Sequence, residues 1–256
     1  MKFNKSLGQH ILKNPGVIDT IITKAKIKQT DTILEVGGGT GNLTVKILPH
    51  CKKLICIEKD PKMAAELMKR ISNNKKFELI LADVLKLDLP YFDLCITNLP
   101  YQISSPFLFK LLKSNFKCAF IMFQREFANR LVARPNSPDW CRLSVTVQLL
   151  SKVDIALNVS RNSFNPPPEV ESSVVKIIPR KVEDFDLDSF NNFVKKCFLR
   201  KNKTLKSIFK DKTNNLIGPL IDKFVLKHKV ERPLKMDVED FLELFLAFKK
   251  NKIEIK

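Results

Sequence analysis

Thr32-Ile33-Leu34-Glu35-Val36-Gly37-Gly38-Gly39-Thr40-Gly41 reads as a short apolar strand, carrying one acid, that runs directly into a glycine-rich turn. Glycines at alternate positions, Gly37, Gly39 and Gly41, let the backbone turn sharply and approach a ligand with no side chain between them. The helix that follows presents its free amides to the same spot. A strand, a tight glycine turn and a helix form the basic unit of an α/β sheet, and the flanking sequence repeats that rhythm.

Downstream the spacing predicts a helix from about Leu43 to Leu48 and a second strand over Lys53–Glu58. Asp60-Pro61 then opens a helix, with Asp as N-cap and Pro in the first turn. Met63, Leu67 and Ile71 line its buried face. Phe77 to Ala82 is the third strand, ending at Asp83, and Phe92 to Thr97 is the fourth. Ser105-Pro106 starts a helix whose apolar face is Phe107, Leu108, Leu111 and Leu112, and Cys118 to Phe123 is the fifth strand. Alternation over roughly the first 125 residues predicts a doubly wound, mostly parallel sheet. Arg142 to Val159 reads as two adjacent strands, and Val174 to Ile178 closes an antiparallel hairpin at the end of the sheet. Pro179-Arg180 and the polar stretch after it mark a boundary. The expected division is an α/β domain over 1–180 and a small all-α domain over 181–256. Asp237 caps the last helix of the latter, with Val238, Phe241, Leu242, Phe245 and Phe248 on one face and Lys249-Lys250 at its C-terminal end.

With 256 residues and 44% hydrophobic content, the chain can bury one large core and a smaller annex. No apolar stretch approaches the ~18–20 residues that span a bilayer, and the Lys-rich N-terminus lacks the apolar core of a secretory signal, so no membrane partner is expected. It is also too poor in Arg and Ser for a mitochondrial presequence. Cysteines 51, 56, 95, 118, 141 and 197 form no Cys-x-x-Cys pair and have no His at ligand spacing; a reducing, intracellular compartment and no metal follow. The formal net charge of +18 points to a polyanionic partner. It is clustered: residues 1–30 hold six lysines against Asp19, and Lys195, Lys196, Arg200, Lys201, Lys203, Lys206, Lys210 and Lys212 stand against Asp211 alone. Clustering of this kind favours nucleic acid over a generically lysine-rich composition.

Asn98-Leu99-Pro100-Tyr101 follows the fourth strand directly. It sets a carboxamide, a rigid turn and an aromatic ring at the C-terminal edge of the sheet, where α/β folds bind ligands. Alone, the tetrapeptide also reads as an ordinary strand-ending turn. The glycine loop narrows the choice. A dinucleotide fingerprint puts its third glycine at the sixth position, which here is Asn42. Gly-x-Gly-x-Gly after the acid Glu35 instead resembles the S-adenosylmethionine methyltransferases, and Asn-Leu-Pro-Tyr resembles the signature of those that methylate an exocyclic amine of a base. On that resemblance Gly37 and Gly39 cradle the cofactor, Glu58 accepts from both ribose hydroxyls, and Asp83 accepts from the cofactor's adenine amine. Asn98 borders the cofactor and the target base alike.

Ser6-Leu7-Gly8-Gln9-His10-Ile11-Leu12, the glycine loop, Asn98–Tyr101 and Phe164-Asn165-Pro166-Pro167-Pro168 together resemble the small-subunit ribosomal RNA adenine N6,N6-dimethyltransferases. Gln102-Ile103-Ser104-Ser105-Pro106, Met122–Phe127 and Arg200–Leu205 are similar to its eukaryotic branch. The resemblance implies a Rossmann-like methyltransferase sheet and dimethylation of two adjacent adenosines near the 3′ end of small-subunit ribosomal RNA during ribosome assembly. It gives cofactor-binding roles to His10 and Leu12, in a segment that closes over the cofactor, and implies a nuclear or nucleolar location. The expected state is a monomer. Two positions depart from the family pattern: Gly38 stands where proline is frequent, which should only soften the loop, and Glu169 where a basic residue is common.

In the reaction so implied, Asn98 Oδ1 and the Leu99 carbonyl each accept one N6–H, while Pro100 fixes the turn. Tyr101 and Phe164 stack on the two faces of an extruded adenine. The sequence sets no His or Lys near the motif, which agrees with catalysis by positioning. Lys195, Lys196, Arg200, Lys201, Lys203 and Lys206 are the expected RNA contacts, precede or open a helix, and stand over an apolar face of Leu205, Ile208 and Phe209. Two other readings stay open. A DNA adenine methyltransferase shares the tetrapeptide, and a pre-ribosomal RNA-binding assembly factor would need methylation only secondarily.

Overall fold

Strands buried on both faces hold the centre of the fold. The structure, a computed structural model that describes residues 10–71, 74–180, 186–210 and 215–253, is built on a seven-stranded sheet. Its strands are β1 (Thr32–Val36), β2 (Lys53–Glu58), β3 (Phe77–Leu81), β4 (Leu94–Thr97), β5 (Cys118–Gln124), β6 (Ser151–Val159) and β7 (Ser172–Pro179), in the order β3-β2-β1-β4-β5-β7-β6. The first five run parallel; β7 is antiparallel to both β5 and β6. β2 and β4 are buried almost without a break, whereas the edge strands β3 and β6 carry exposed residues along their length. Central parallel strands are covered on both faces, so they need continuous apolar runs. A separate two-residue ladder pairs Ile11 with Asn165 and Leu12 with Phe164.

The helices among the described residues are α1 (Pro15–Ala25), α2 (Thr44–Ile47), α3 (Pro61–Ile71), α4 (Ser104–Leu112), α5 (Arg125–Val132), α6 (Arg142–Leu150), α7 (Leu187–Leu199), α8 (Leu205–Ile208), α9 (Ile217–His228) and α10 (Val238–Lys250). The caps read from sequence are formed. Asp60 Oδ1 accepts from Lys62 N at 2.9 Å to start α3, and Met63, Leu67 and Ile71 are buried beneath it. Asp237 starts α10 through a capping box, its Oδ1 accepting from Asp240 N at 2.8 Å while Asp240 Oδ2 accepts from Asp237 N.

Arg142–Leu150 is a helix, where the sequence suggests the first of two strands. Val145, Val147 and Leu149 alternate as a strand would, but Ser144, Val145, Thr146 and Val147 are all buried, so no polar face marks the helical period. Its polar groups have specific partners that burial demands. Ser144 Oγ donates to Arg130 O at 2.6 Å, Thr146 Oγ1 to Asn191 Oδ1 at 2.8 Å, and Gln148 Nε2 to Leu131 O and Ala133 O.

Two compact units result: Met1–Ala128 with Ser151–Pro179, and Asn129–Leu150 with Arg180–Lys256. The division at residue 180 expected from sequence differs from this one in the assignment of residues 129–150. Trp140, Val145 and Leu149 join Phe190, Phe193, Phe241, Phe245 and Phe248 in the second unit's core, which explains the excursion. There Phe193 stacks on Phe209 with ring centroids 5.4 Å apart and meets Phe248 edge-on at 5.6 Å. Ser6–Gln9, Asp211 and Lys212 lie outside the described residues. Among the described residues, no helix is long and apolar enough to cross a membrane, and no group of three or more His, Cys, Asp or Glu side chains could hold a metal.

Candidate active site

Strand order reverses between β1 and β4, and both strands end at one cavity of about 160 Å³. Such a switch point leaves a crevice at the C-terminal ends of the strands. Thr97 joins the two strand ends: its hydroxyl, 3% exposed, donates to Val36 O at 2.6 Å and accepts from Val36 N at 3.3 Å. The glycine loop and Asn98 are thereby tied together one residue from each.

Gly37 and Gly39 take positive φ, 73° and 55°, which other residues adopt only with strain. A Cβ on Gly37 would press on Pro100 Cδ at 3.3 Å, so the two motifs fit each other closely. At Gly38, a Cβ would lie 2.7 Å from Cys56 Sγ and 2.9 Å from Leu67 Cδ2. The absence of a side chain there therefore does more than soften the loop: it makes room for this packing of β2 and α3.

The acids at the strand ends line the cavity. Glu58 is 6% exposed; its Oε2 accepts from Gly39 N at 3.1 Å and its Oε1 from Asp60 N at 2.9 Å. Each oxygen keeps a further lone pair for a ligand hydroxyl. Asp83 accepts from Leu85 N at 3.0 Å and pairs with Lys59 at 3.0 Å, and the Lys59 ammonium holds its carboxyl below the usual carboxylate range. Glu35 is 2% exposed and its Oε2 has no hydrogen-bond partner. Burial pushes its carboxyl up to about 8; the nearby Thr44 hydroxyl opposes that rise and the charge of Glu58 adds to it.

This acid predicts a pH dependence. The folded carboxyl holds its proton more tightly than the unfolded one, so the ligand-free protein loses stability as pH rises from 4.5 towards about 8. The slope is at most about 1.4 kcal/mol per pH unit. Glu35→Gln should remove that component. Urea unfolding at pH 5 and pH 8 checks it, and an identical pH slope in the variant contradicts the assignment.

Around Asn98, His10 and Leu12 both line the cavity, as their expected roles require. Asn98 Nδ2 donates to His10 O at 2.8 Å, which leaves Oδ1 as the acceptor. Leu99 lines the cavity and is buried, 1% exposed. Pro100 is extended, with ψ 122°, and directs Tyr101 into a single helical turn, Tyr101–Ile103. The Tyr101 hydroxyl shares a 2.6 Å hydrogen bond with Ser172 Oγ.

Two expectations need correction. A histidine does sit at the motif: the His10 ring lies 6.0 Å from the Tyr101 ring, nearly parallel to it. Its Nδ1–H is committed to Pro166 O at 2.9 Å, which fixes the tautomer. Phe164 does not offer a face to a base. It is 1% exposed and packs in the core, because its residue pairs with Leu12 across the short ladder. Of the prolines after it, Pro167 is exposed, Pro166 half-buried and Pro168 buried, and the Phe164 ring packs in the core.

In the second unit, Lys195, Arg200, Lys203 and Lys206 are exposed, and Lys196 and Lys201 are half-buried. Leu205 and Phe209 are buried and Ile208 packs against the same core. Lys206 pairs with Asp222, and Lys196 lies over the Phe209 ring at 5.6 Å. Asn42, Arg70, Thr97 and Ser172 entered no sequence-based assignment of the site; only Asn42, adjacent to Gly41, offered a positional signal.

A model of the family described as ribosomal RNA adenine dimethylase matches residues 1–250. A probable dimethyladenosine transferase of Dictyostelium discoideum is 45% identical over 100% of this chain and 91% of its own length. The dimethyladenosine transferase of Schizosaccharomyces pombe is 53% identical over 82% of this chain and 70% of its own. Among solved structures, a dimethyladenosine transferase from Plasmodium falciparum superposes with a TM-score of 0.83 at 41% identity, covering 95% of this chain and 99% of that one. The 23S rRNA methyltransferase ErmE shares the fold, with a TM-score of 0.76 at 23% identity over 93% of this chain and 99% of its own. Similarity of this extent means that the chain belongs to the ribosomal RNA adenine dimethylase family.

Proposed function

We propose that this chain transfers methyl groups from S-adenosylmethionine to the N6 amine of adenosine in small-subunit ribosomal RNA, twice on the same nitrogen, at two adjacent adenosines near the 3′ end. The observation that carries the reading is the Asn98 carboxamide, held by His10 O with its oxygen left as acceptor at the end of β4. The cavity suits the cofactor: glycine backbone, two carboxylates at successive strand ends, and the buried Glu35 carboxyl, whose Oε2 has no partner in the protein. When bound, S-adenosylmethionine would supply an electrophilic methyl group and leave as the neutral thioether S-adenosylhomocysteine, and the methylated amine would release one N6 proton.

The chain's own residues address the nucleophile. An adenine amine is weak because its lone pair is delocalised into the ring. Asn98 Oδ1 and the Leu99 carbonyl, each accepting one N6–H, favour the pyramidal nitrogen and aim its lone pair. Orientation of this kind contributes up to ~7–11 kcal/mol. With Phe164 buried, Tyr101 is the ring left to stack on the base. A monomethylated amine keeps one N6–H, enough to engage one of the two acceptors for the second transfer. The six cysteines are all free thiols, which suits the reducing, nuclear or nucleolar compartment included in the proposal.

The test is incubation with labelled S-adenosylmethionine and small-subunit particles, naked ribosomal RNA or duplex DNA, followed by nucleoside mass spectrometry. N6,N6-dimethyladenosine in RNA is the expected product; label only in DNA would select the DNA-methyltransferase reading.

The assembly-factor reading rests on the cations of the turn between α7 and α8, where Arg200 and Lys203 are exposed and Lys201 is half-buried. Arg200→Glu, Lys201→Glu and Lys203→Glu combined should weaken particle binding and lower its salt-dependence slope by about three, one for each phosphate no longer neutralised. Cofactor affinity should be unchanged by calorimetry. Unchanged particle binding would reduce that turn to a solvated surface.

A further inference from the structure

Residues 10–12 are held to the rest of the site by two asparagine side chains. Asn98 Nδ2 reaches His10 O, and Asn42 Nδ2 reaches Leu12 O, each at 2.8 Å. Carbonyls two residues apart in a strand face the same way, so the two amides grip one edge of the segment while Asn165 and Phe164 pair with its residues 11 and 12. Asn42 is itself oriented. Arg70 Nη1, from α3, donates at 2.7 Å to Asn42 Oδ1 and at 2.7 Å to Thr40 O. This fixes which end of the Asn42 carboxamide faces Leu12, and a charged donor makes the bond stronger than a neutral one. The Arg70 stem also lies along the loop: a Cβ on Gly41 would sit 3.4 Å from Arg70 Cδ.

We infer that Arg70 and Asn42 are positioning residues for methyl transfer. Through Leu12 O they hold the 10–12 segment, and through His10 O that segment holds the Asn98 carboxamide with its oxygen available to the amine. Neither residue needs to touch the base. The inference rests on the methyl-transfer reading above, and its test separates the two.

Asn42→Asp keeps the shape and the acceptor for Arg70 but deletes the donor to Leu12 O. Arg70→Met keeps the stem and deletes the guanidinium, and Arg70→Lys restores a donor. The readouts are single-turnover transfer at saturating cofactor, hydrogen exchange of a peptide spanning residues 10–14, and the thermal midpoint. Expected are about tenfold slower transfer in Asn42→Asp and in Arg70→Met, the scale of one intramolecular hydrogen bond's worth of alignment. The double variant should be no worse than either single, since both break one chain of hydrogen bonds. Exchange of the 10–14 peptide should quicken about tenfold, Arg70→Lys should recover part of both, and the midpoint should barely move. Additive losses, unaltered exchange, or full recovery of rate by saturating cofactor would overturn the inference. If the wild-type protein does not methylate adenosine, the proposed function fails, while the exchange measurements alone still decide whether Arg70 and Asn42 hold the segment.

Discussion

Asn98→Ala slows methyl transfer by about 10³-fold, the scale of removing a pre-aimed polar group from a reacting centre. The loss is in the transfer step, because Asn98 Oδ1 addresses the amine, while Glu58, Gly39 and Asp83 surround the other part of the cavity. Cofactor affinity falls only a few-fold, through release of His10 O from Asn98 Nδ2. Asn98→Asp separates the two contributions: it keeps an oxygen acceptor but loses the donor that orients it, and should be intermediate in rate. The measurements are single-turnover rates with saturating cofactor and calorimetric affinity for each variant. Turnover of Asn98→Ala within a few-fold of wild type would remove Asn98 from the chemistry.

Glu58→Ala produces the complementary pattern. The carboxylate anchors two backbone amides, those of Gly39 and Asp60, and is placed to accept from two ribose hydroxyls. Losing charge-assisted bonds of ~1.5–3 kcal/mol each should weaken S-adenosylmethionine binding about 10²-fold or more. The transfer rate at saturating cofactor should change far less. Glu58→Gln retains one acceptor and part of the loop anchor, so its affinity should lie between. Calorimetry reads both, and an unchanged dissociation constant in Glu58→Ala sinks the ribose assignment.

Much of this site was visible in the sequence because its parts are local. A strand that ends in Gly37-x-Gly39, a Pro-fixed turn after Asn98 and an Asp-Pro helix start each declare themselves within a few residues. The pieces that were not legible depend on neighbours distant in the chain. Phe164 precedes a proline run that suggests a surface loop, yet pairing with a residue some 150 positions earlier turns its ring inward. Arg142–Leu150 is buried on nearly every side by the second unit, so its helical period has no polar stripe to show. His10 reaches the motif at Asn98 only because the 10–12 segment is laid against it. Arg70 carries no signal at all: one arginine on an exposed helix surface becomes informative only when its guanidinium is seen on Asn42 and Thr40.

The excursion of residues 129–150 has a consequence for any attempt to divide the chain. The backbone passes between the two units three times, at 128/129, 150/151 and 179/180. A second unit joined once, at the end of a finished catalytic sheet, could be added or discarded as a gene segment. This one cannot, because part of its core is encoded inside the sheet's own sequence, between β5 and β6. A fragment ending at Pro179 would retain Trp140, Val145 and Leu149 but lose the phenylalanines that cover them, leaving an apolar surface prone to self-association. A protease that nicks one crossing leaves the halves covalently joined through the other two. Any shortened version of the chain must therefore cover that interior by other means.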